Sequence, residues 1–374
     1  MKNPLFFVSS HESGDISVYE MAMDSGRLKP LSRVGASKLV MPLAVSPDGL
    51  FVHAAVRAEP FGLLTYAIDH STGALRQIRS APLPASMVGI MVDRTGRWLL
   101  AAAYGADALY VFAVNAEGSI DAEPAYQAAS GGVKPHAICL DSTNRFVYVP
   151  HLGTDEVRIY AFDATKGVLS PSSQASVKLQ AGAGPRHLVL SKDERFLYVL
   201  GQLDGSVTVF KRNAGSGDLE PIQSIDSLPP GSGLLPGKPR PPSGSQTAAP
   251  PETDVVWCAD IQITPQGHFL YTTERAKSTI SIFSIDVPTG RLRVSGHVET
   301  EKQPRAIGID PSGRFLIASG EISQQLSLYQ IDSDNGALTL VETASTGLGA
   351  NWVLFVPSRD VSMTKVQQLK GFAA

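Results

Sequence analysis

Along this chain, apolar runs of four to six residues rich in Val, Ile, Leu, Phe and Tyr alternate with short clusters of Gly, Asp, Asn, Ser and Pro. Runs of that length, bounded by turn residues, predict β-strands, and no helical patterning separates them. The clearest unit spans Gly184 to Phe210. It reads as a strand (Leu188 to Leu190), a polar turn (Ser191 to Glu194), a strand (Phe196 to Leu200), a break (Gly201 to Asp204) and a third strand (Ser206 to Phe210).

The unit repeats. Its turn recurs at Ser46, Asp93, Asp141, Ser191, Thr264 and Asp310, with spacings of 47, 48, 50, 73 and 46. A hairpin glycine follows in each unit, at Gly26, Gly73, Gly118, Gly167, Gly217, Gly290 and Gly336. Seven hairpins against six turns means that the chain begins inside a repeat, with strands at Leu5 to Ser9 and Ile16 to Tyr19. It ends on a lone first strand, Trp352 to Val356. Four strands per unit at this period, with one end of the chain completing the other, predicts an all-β, seven-bladed β-propeller closed by the C-terminal strand. A sandwich does not repeat on this period, an α/β fold requires helices between strands, and a β-solenoid repeats at shorter intervals.

Composition narrows the rest. With 374 residues and a formal charge of −3, the chain carries no basic footprint for nucleic acid or an anionic membrane surface. No apolar run reaches the length of a spanning helix, and Leu5 to Val8 is too short for a signal-peptide core, which predicts a soluble cytoplasmic protein. The two cysteines, Cys139 and Cys258, read as buried small hydrophobes in different blades. The propeller is expected over residues 1–357. The long spacing marks an insertion at about 228–253, dominated by Pro, Gly and Ser, which reads as an extended loop, either a decoration or a lid. A polar tail occupies 358–374.

In a propeller the innermost strand begins, and the second strand ends, at one face around the central channel, so aligned positions converge. The first aligned set is Met41, Val88, His136, Arg186, Ala259, Arg305 and Asn351, followed one residue on by Pro42, Gly89, Ala137, His187, Asp260, Ala306 and Trp352. The set after the second strands is His11, Arg57, Tyr104, Leu152, Gln202, Arg275 and Glu321, with His151 and Glu274 beside it. Four arginines, four histidines and several carboxylates thus gather at positions where the strands are otherwise apolar. Convergent polar groups in a concavity mark a binding site, and the arginines favour an anion such as a carboxylate or phosphate. By contrast Arg97, Arg145, Arg195 and Arg314, which follow the turns, read as bounding solvent-facing loops. No metal-ligand spacing, Ser-His-Asp order or phosphate loop is present; Asp260, Glu274 and Glu321 would meet a divalent ion only if folding joined them. No metal or cofactor is implied.

Three segments carry a resemblance: KPHAICLDSTNRFVYVPHLGTDEVRIY (Lys134 to Tyr160), GPRH (Gly184 to His187) and PRAIGIDPSGRFLIAS (Pro304 to Ser319). They resemble the seven-bladed lactonase family, which includes bacterial 6-phosphogluconolactonase and fungal 3-carboxy-cis,cis-muconate cyclase, and the resemblance covers residues 3 to 357. The family's site uses a histidine, arginines and a glutamate at the channel mouth. By motif these fall on His136, Arg186 and Arg275, while Gln202 occupies the glutamate position. A glutamine neither takes nor gives a proton, so acid–base work would pass to His136, His187 or Glu321.

Three functions follow as expectations. The first is hydrolysis of an anionic lactone, with His136 as general base, Arg186 and Arg275 on the anion and carbonyl, and Glu321 orienting the base or donating a proton. His11, Arg57, His151, His187, Gln202, Asp260, Glu274, Arg305 and Asn351 would line the substrate. The second is cyclisation of a muconate-type diacid, and the third is metabolite binding without turnover.

Overall fold

A computed structural model describes residues 3–241 and 254–357. The fold is seven four-stranded antiparallel sheets and, among the described residues, no helix. The innermost strands are Ala350–Phe355, Val40–Val45, Gly89–Val92, Cys139–Leu140, Pro185–Leu190, Cys258–Ile263 and Pro304–Ile309, for blades 1 to 7 in turn. In every blade the chain then steps outward. Second strands are almost wholly buried, because both of their faces pack on neighbouring blades; Phe196–Gly201 shows no exposed residue. Blade 1 joins the two chain ends as expected: Ala350–Phe355 pairs antiparallel with Leu5–Ser10. Ser9 and Asn351 lock that seam, the serine hydroxyl donating to Asn351 Oδ1 at 2.8 Å. No helix among the described residues is long and apolar enough to cross a membrane. Both cysteines are free thiols.

Neighbouring blades are clasped by one repeated device. The residue that opens a second strand packs on the hairpin glycine of the following blade: Trp98 on Gly167, Phe146 on Gly217, Phe196 on Gly290, Phe269 on Gly336 and, across the chain ends, Phe315 on Gly26. The arginine just before that residue reaches the same hairpin. Arg97 Nη2 donates to the Ala164 carbonyl at 2.9 Å, Arg145 Nη2 to Ala214 at 2.7 Å, Arg195 Nη2 to Val287 at 3.0 Å, and Arg314 to Met23. Those four arginines therefore bridge blades rather than simply bounding loops. Each hairpin glycine is in the left-handed region, φ +79° at Gly217, and any β-carbon there would run into the Phe146 ring. Gly217→Val is expected to cost at least about 2 kcal/mol from backbone strain and the displaced ring. A denaturant midpoint equal to wild type would show that the clasp bears no stability.

The expected insertion leaves blade 5 after Leu219–Asp226 and returns at Cys258. Its described part is pinned at the base: Gly237 N donates to the Leu203 carbonyl at 2.7 Å, and Leu235 and Val255 form a parallel bridge. The remainder of the insertion, 242–253, and the tail 358–374 lie outside the described residues.

Candidate functional site

Several of the aligned residues contact one another, and the backbone sets their register. Six of the seven residues that follow a second strand, all but Tyr104, donate their amide to the carbonyl two places before the first aligned position. Arg57 N bonds Leu39 O at 3.1 Å, Gln202 N bonds Gly184 O at 2.8 Å, Arg275 N bonds Trp257 O at 3.2 Å and Glu321 N bonds Gln303 O at 3.0 Å. Just beyond, the inner strand bulges. Pro185 faces Gly201 and His187 faces Leu200, leaving Arg186 without a cross-strand partner; Arg305 is skipped in the same way between Pro304 and Ala306. A bulge suspends the alternation of a strand and re-aims its side chains, so Arg186 and His187 serve the same site although adjacent in sequence.

Arg186 is at the centre of the cluster, only 2% exposed. Its Nη1 donates to His187 Nε2 at 2.9 Å and to the Ala259 carbonyl. His187 Nδ1–H in turn donates to Asp260 Oδ1 at 2.8 Å. Asp260 is further fixed by the amides of Ile261 at 2.9 Å and Ile307 at 3.0 Å. This chain sets the imidazole as a neutral acceptor toward Arg186. Burial first, and Arg186 second, lower the His187 pKa to about 4, outweighing the pull of Asp260. His187 and Asp260 thus position the arginine.

Arg275 lies under the indole of Trp257, its guanidinium carbon 3.6 Å from the ring centre. It donates Nη2 to Gln202 Oε1 at 3.4 Å and pairs with Glu321 at 3.5 Å. Glu321 also accepts from Arg305 Nη1 at 2.5 Å. Burial raises the Glu321 pKa, but Arg305 and Arg275 together bring it down to about 2. Glu321 is therefore a fixed anion between two cations.

Arg57 donates to Ser86 Oγ at 3.0 Å and, like Arg186, has no ion-pair partner among the described residues. Burial, then the Arg305 charge, pushes both guanidiniums down to about 9; they remain cationic at neutral pH. His136 stands edge-on to His187, ring centres 5.5 Å apart, and to Tyr104 at 5.7 Å. Burial, and next Arg186, holds its pKa well below the ordinary value. His136 Nδ1 and Arg186 Nε are both buried with no partner among the described residues.

Other expected residues sit at the edge. His11 Nδ1–H donates to the Gly349 carbonyl at 2.8 Å, and Asn351 Nδ2 donates to the same carbonyl at 3.1 Å, so both tie the blade 1 seam. His151 and Glu274 are not brought to the cluster by any contact: His151 Nδ1 bonds Val149 O at 3.0 Å, and Glu274 accepts from the amides of Trp257 at 2.9 Å and Lys277 at 2.6 Å. Each ends a second strand, one residue before the aligned position, and so takes the opposite face. Asp260, Glu274 and Glu321 each have their own partners. Tyr104 and Trp257 join the cluster from outside the charged set, against His136 and Arg275; in the sequence only Tyr104 is marked, by its aligned position.

Residues 6–355 match the family described as Lactonase, 7-bladed beta-propeller. The chain is 35% identical over 349 residues to the 6-phosphogluconolactonase of Serratia proteamaculans, covering 93% of this chain and 98% of that protein. It is 36% identical over 347 residues to the 6-phosphogluconolactonase of Pectobacterium carotovorum, covering 93% and 97%. Among solved structures it superposes on the periplasmic gluconolactonase of Pseudomonas aeruginosa with a TM-score of 0.80, at 23% identity, over 95% of this chain and 99% of that one. A repeat of seven, a seam between the chain ends and a match across nearly the whole length agree: the chain belongs to the lactonase family of seven-bladed β-propellers, enzymes that hydrolyse lactones.

Proposed function

We propose that this protein hydrolyses an anionic sugar lactone, of the 6-phosphogluconolactone class, at the arginine-lined mouth. The observation that carries the reading is the charge imbalance there. Arg57, Arg186, Arg275 and Arg305 lie within each other's fields, while Asp260 is engaged by His187 and Glu321 by two of the four arginines. A buried surplus of guanidinium is costly alone and favourable around an anion. The names of the Serratia and Pectobacterium relatives support the phosphorylated substrate. We place the reaction in the cytoplasm, to which two free thiols are suited.

In this mechanism Arg186 and Arg275 polarise the lactone carbonyl and hold the oxyanion that forms when water attacks. His136, kept neutral, takes the proton of that water. From the ring nitrogen that is not the buried Nδ1, it returns the proton to the ring oxygen as the C–O bond breaks, leaving the open hydroxy acid. Substrate charge offsets the arginine field and so raises the basicity of His136 when it is needed. Glu321, ionised throughout, holds Arg275 and Arg305; we assign it no proton transfer. Gln202 serves as a hydrogen-bond acceptor for Arg275.

The test is acid release from phosphorylated and unphosphorylated gluconolactones in an indicator assay. Turnover well above the spontaneous rate is expected, falling by about 10²–10³ in His136→Ala. Because His136 is already deprotonated at the ordinary histidine value of 6.5, kcat/KM is expected to stay level as pH is lowered through 6.5 and to fall only below it. An acid limb at or above that value would remove His136 as the base. Inactivity on every lactone, with loss of diene absorbance from a muconate, would instead establish the cyclase.

A further inference from the structure

The lysine of the KPHA segment stands against the site and has no part in the mechanism above. Of the seven residues two places before a first aligned position, Lys134 alone carries a charge. Its backbone is fixed at both polar groups: Lys134 N donates to Asp107 Oδ1 at 2.6 Å, and its carbonyl accepts from Leu152 N at 3.0 Å. The residue lies in the left-handed region, φ +59°, where the equivalent positions of blades 5 and 1 are Gly184 and Gly349. A residue with a β-carbon costs about 1–2 kcal/mol there, so the backbone itself does not call for a lysine.

An aromatic face holds the side chain. Lys134 Nζ is 5.3 Å from the centre of the Tyr104 ring, within cation–π range. Tyr104 is buried; it packs with Val88, Leu152 and Leu203, and its hydroxyl donates to the Arg240 carbonyl at 2.8 Å. The same ring stands edge-on to His136 with ring centres 5.7 Å apart, which bounds the ammonium to within 11 Å of the imidazole centre. Tyr104 also feels the charges of Arg186 and Arg57. Lys134 makes no ion pair among the described residues, and Asp107, the acid it touches, is engaged by its amide.

From this geometry we infer that Lys134 is a specificity-determining residue that binds the phosphoryl group at the far end of the lactone, with Tyr104 as its positioning residue. The inference rests on the anionic-lactone reading above. The cluster arginines are tied in place, Arg186 by His187 and Ala259, Arg275 by Trp257, Gln202 and Glu321, and Arg305 by Glu321. They serve the carbonyl end. A phosphoryl group several bonds away needs a cation of its own, and it swings on an exocyclic carbon. An ammonium on a four-carbon stem, with three donors and no preferred plane, follows such a group where a guanidinium fork would demand one orientation. Lys134 is half-buried, so the ring face strips part of its water while its other side stays open to a ligand.

The experiment compares wild type, Lys134→Met, Lys134→Arg, Tyr104→Leu and, as a control, Lys38→Met, each checked for folding by thermal melt. Lys38 is exposed and stands one residue before the same register position in blade 2, so its loss removes equal charge without the ring contact. The first readout is calorimetric affinity for 6-phosphogluconate over that for gluconate, which needs no turnover. The second is the ratio of kcat/KM for phosphorylated over unphosphorylated gluconolactone. Lys134→Met is expected to lower both ratios by about tenfold or more, as loss of one charge-assisted contact to an anion does. Lys134→Arg is expected to recover most of both, and Tyr104→Leu to lower both by a smaller factor. Lys38→Met is expected to leave them at wild type. Unchanged ratios in folded Lys134→Met would overturn the inference; so would an equal fall in Lys38→Met, which would make the effect one of net charge. A lowered affinity ratio in Lys134→Met alone, with no lactone hydrolysed by wild type, would sustain the role of Lys134 and reject the hydrolase reading.

Discussion

Arg186→Met is expected to lose about 10³-fold in kcat/KM on the lactone substrate while gaining thermal stability. The loss follows from its place: it is the buried arginine whose Nη1 is oriented by the Asp260–His187 pair, on the bulge that aims it into the mouth. Removing one preorganised donor from a developing oxyanion costs roughly 10²–10³, and here the positive charge is lost as well. The gain follows from the same burial. Arg186 has no carboxylate of its own, and both desolvation and neighbouring guanidiniums disfavour its charge. Replacing a buried, poorly compensated ion by an apolar side chain of similar length is neutral or stabilising by about 1–4 kcal/mol. Arg186→Lys, with the charge retained but the fork lost, is expected to fall between, about ten- to a hundredfold down. Thermal melts alongside initial rates decide the matter. A lower Tm for Arg186→Met would make the residue a structural post, and retained activity would take the oxyanion role from it.

Glu321→Gln is expected to destabilise the fold by about 3 kcal/mol at neutral pH, since removing one member of a buried ion pair strands its partners. Here two partners are stranded, Arg275 and Arg305. The pH dependence has a definite sign. The folded carboxyl titrates near 2 against 4.5 for an ordinary glutamate, so its contribution is complete above 4.5 and is lost as pH falls toward 2. Urea unfolding of wild type and variant should therefore differ most at neutral pH and converge in acid. A constant gap down to pH 2 would mean that packing, not charge, is what Glu321 contributes. A gap near zero at neutral pH would mean that the two arginines need no counter-ion from this position.

Period and register carried most of the fold. Strand runs between fixed turn and hairpin marks gave seven blades, and the lone strand at Trp352 to Val356 gave the closure. The same register aligns Arg186, Arg275, Arg305 and Glu321, which lie within one another's fields in the structure. What it missed has physical causes. Strand alternation says that Arg186 and His187 point apart; the bulge that overrides this leaves no residue-type signature at Pro185. The same alternation, applied one place earlier, would have excluded His151 and Glu274. The arginines after the turns read from the sequence as bounding solvent-facing loops because their partners, the hairpin carbonyls at Ala164, Ala214, Val287 and Met23, belong to the next blade.

The seam of blade 1 also has a meaning in time. Leu5–Ser10, fully buried in the finished ring, acquires its inner neighbour only from Ala350–Phe355. At about 5–20 residues per second, a ribosome needs on the order of half a minute to deliver that strand after the first has emerged. For that interval the nascent chain offers an apolar, unpaired edge to anything able to add a strand to it. The later blades can pair internally as they appear, yet none can complete the first. Ala350–Phe355 is thus the strand that ends the exposure, and synthesis stopped short of it leaves a protein with most of its blades and an adhesive edge.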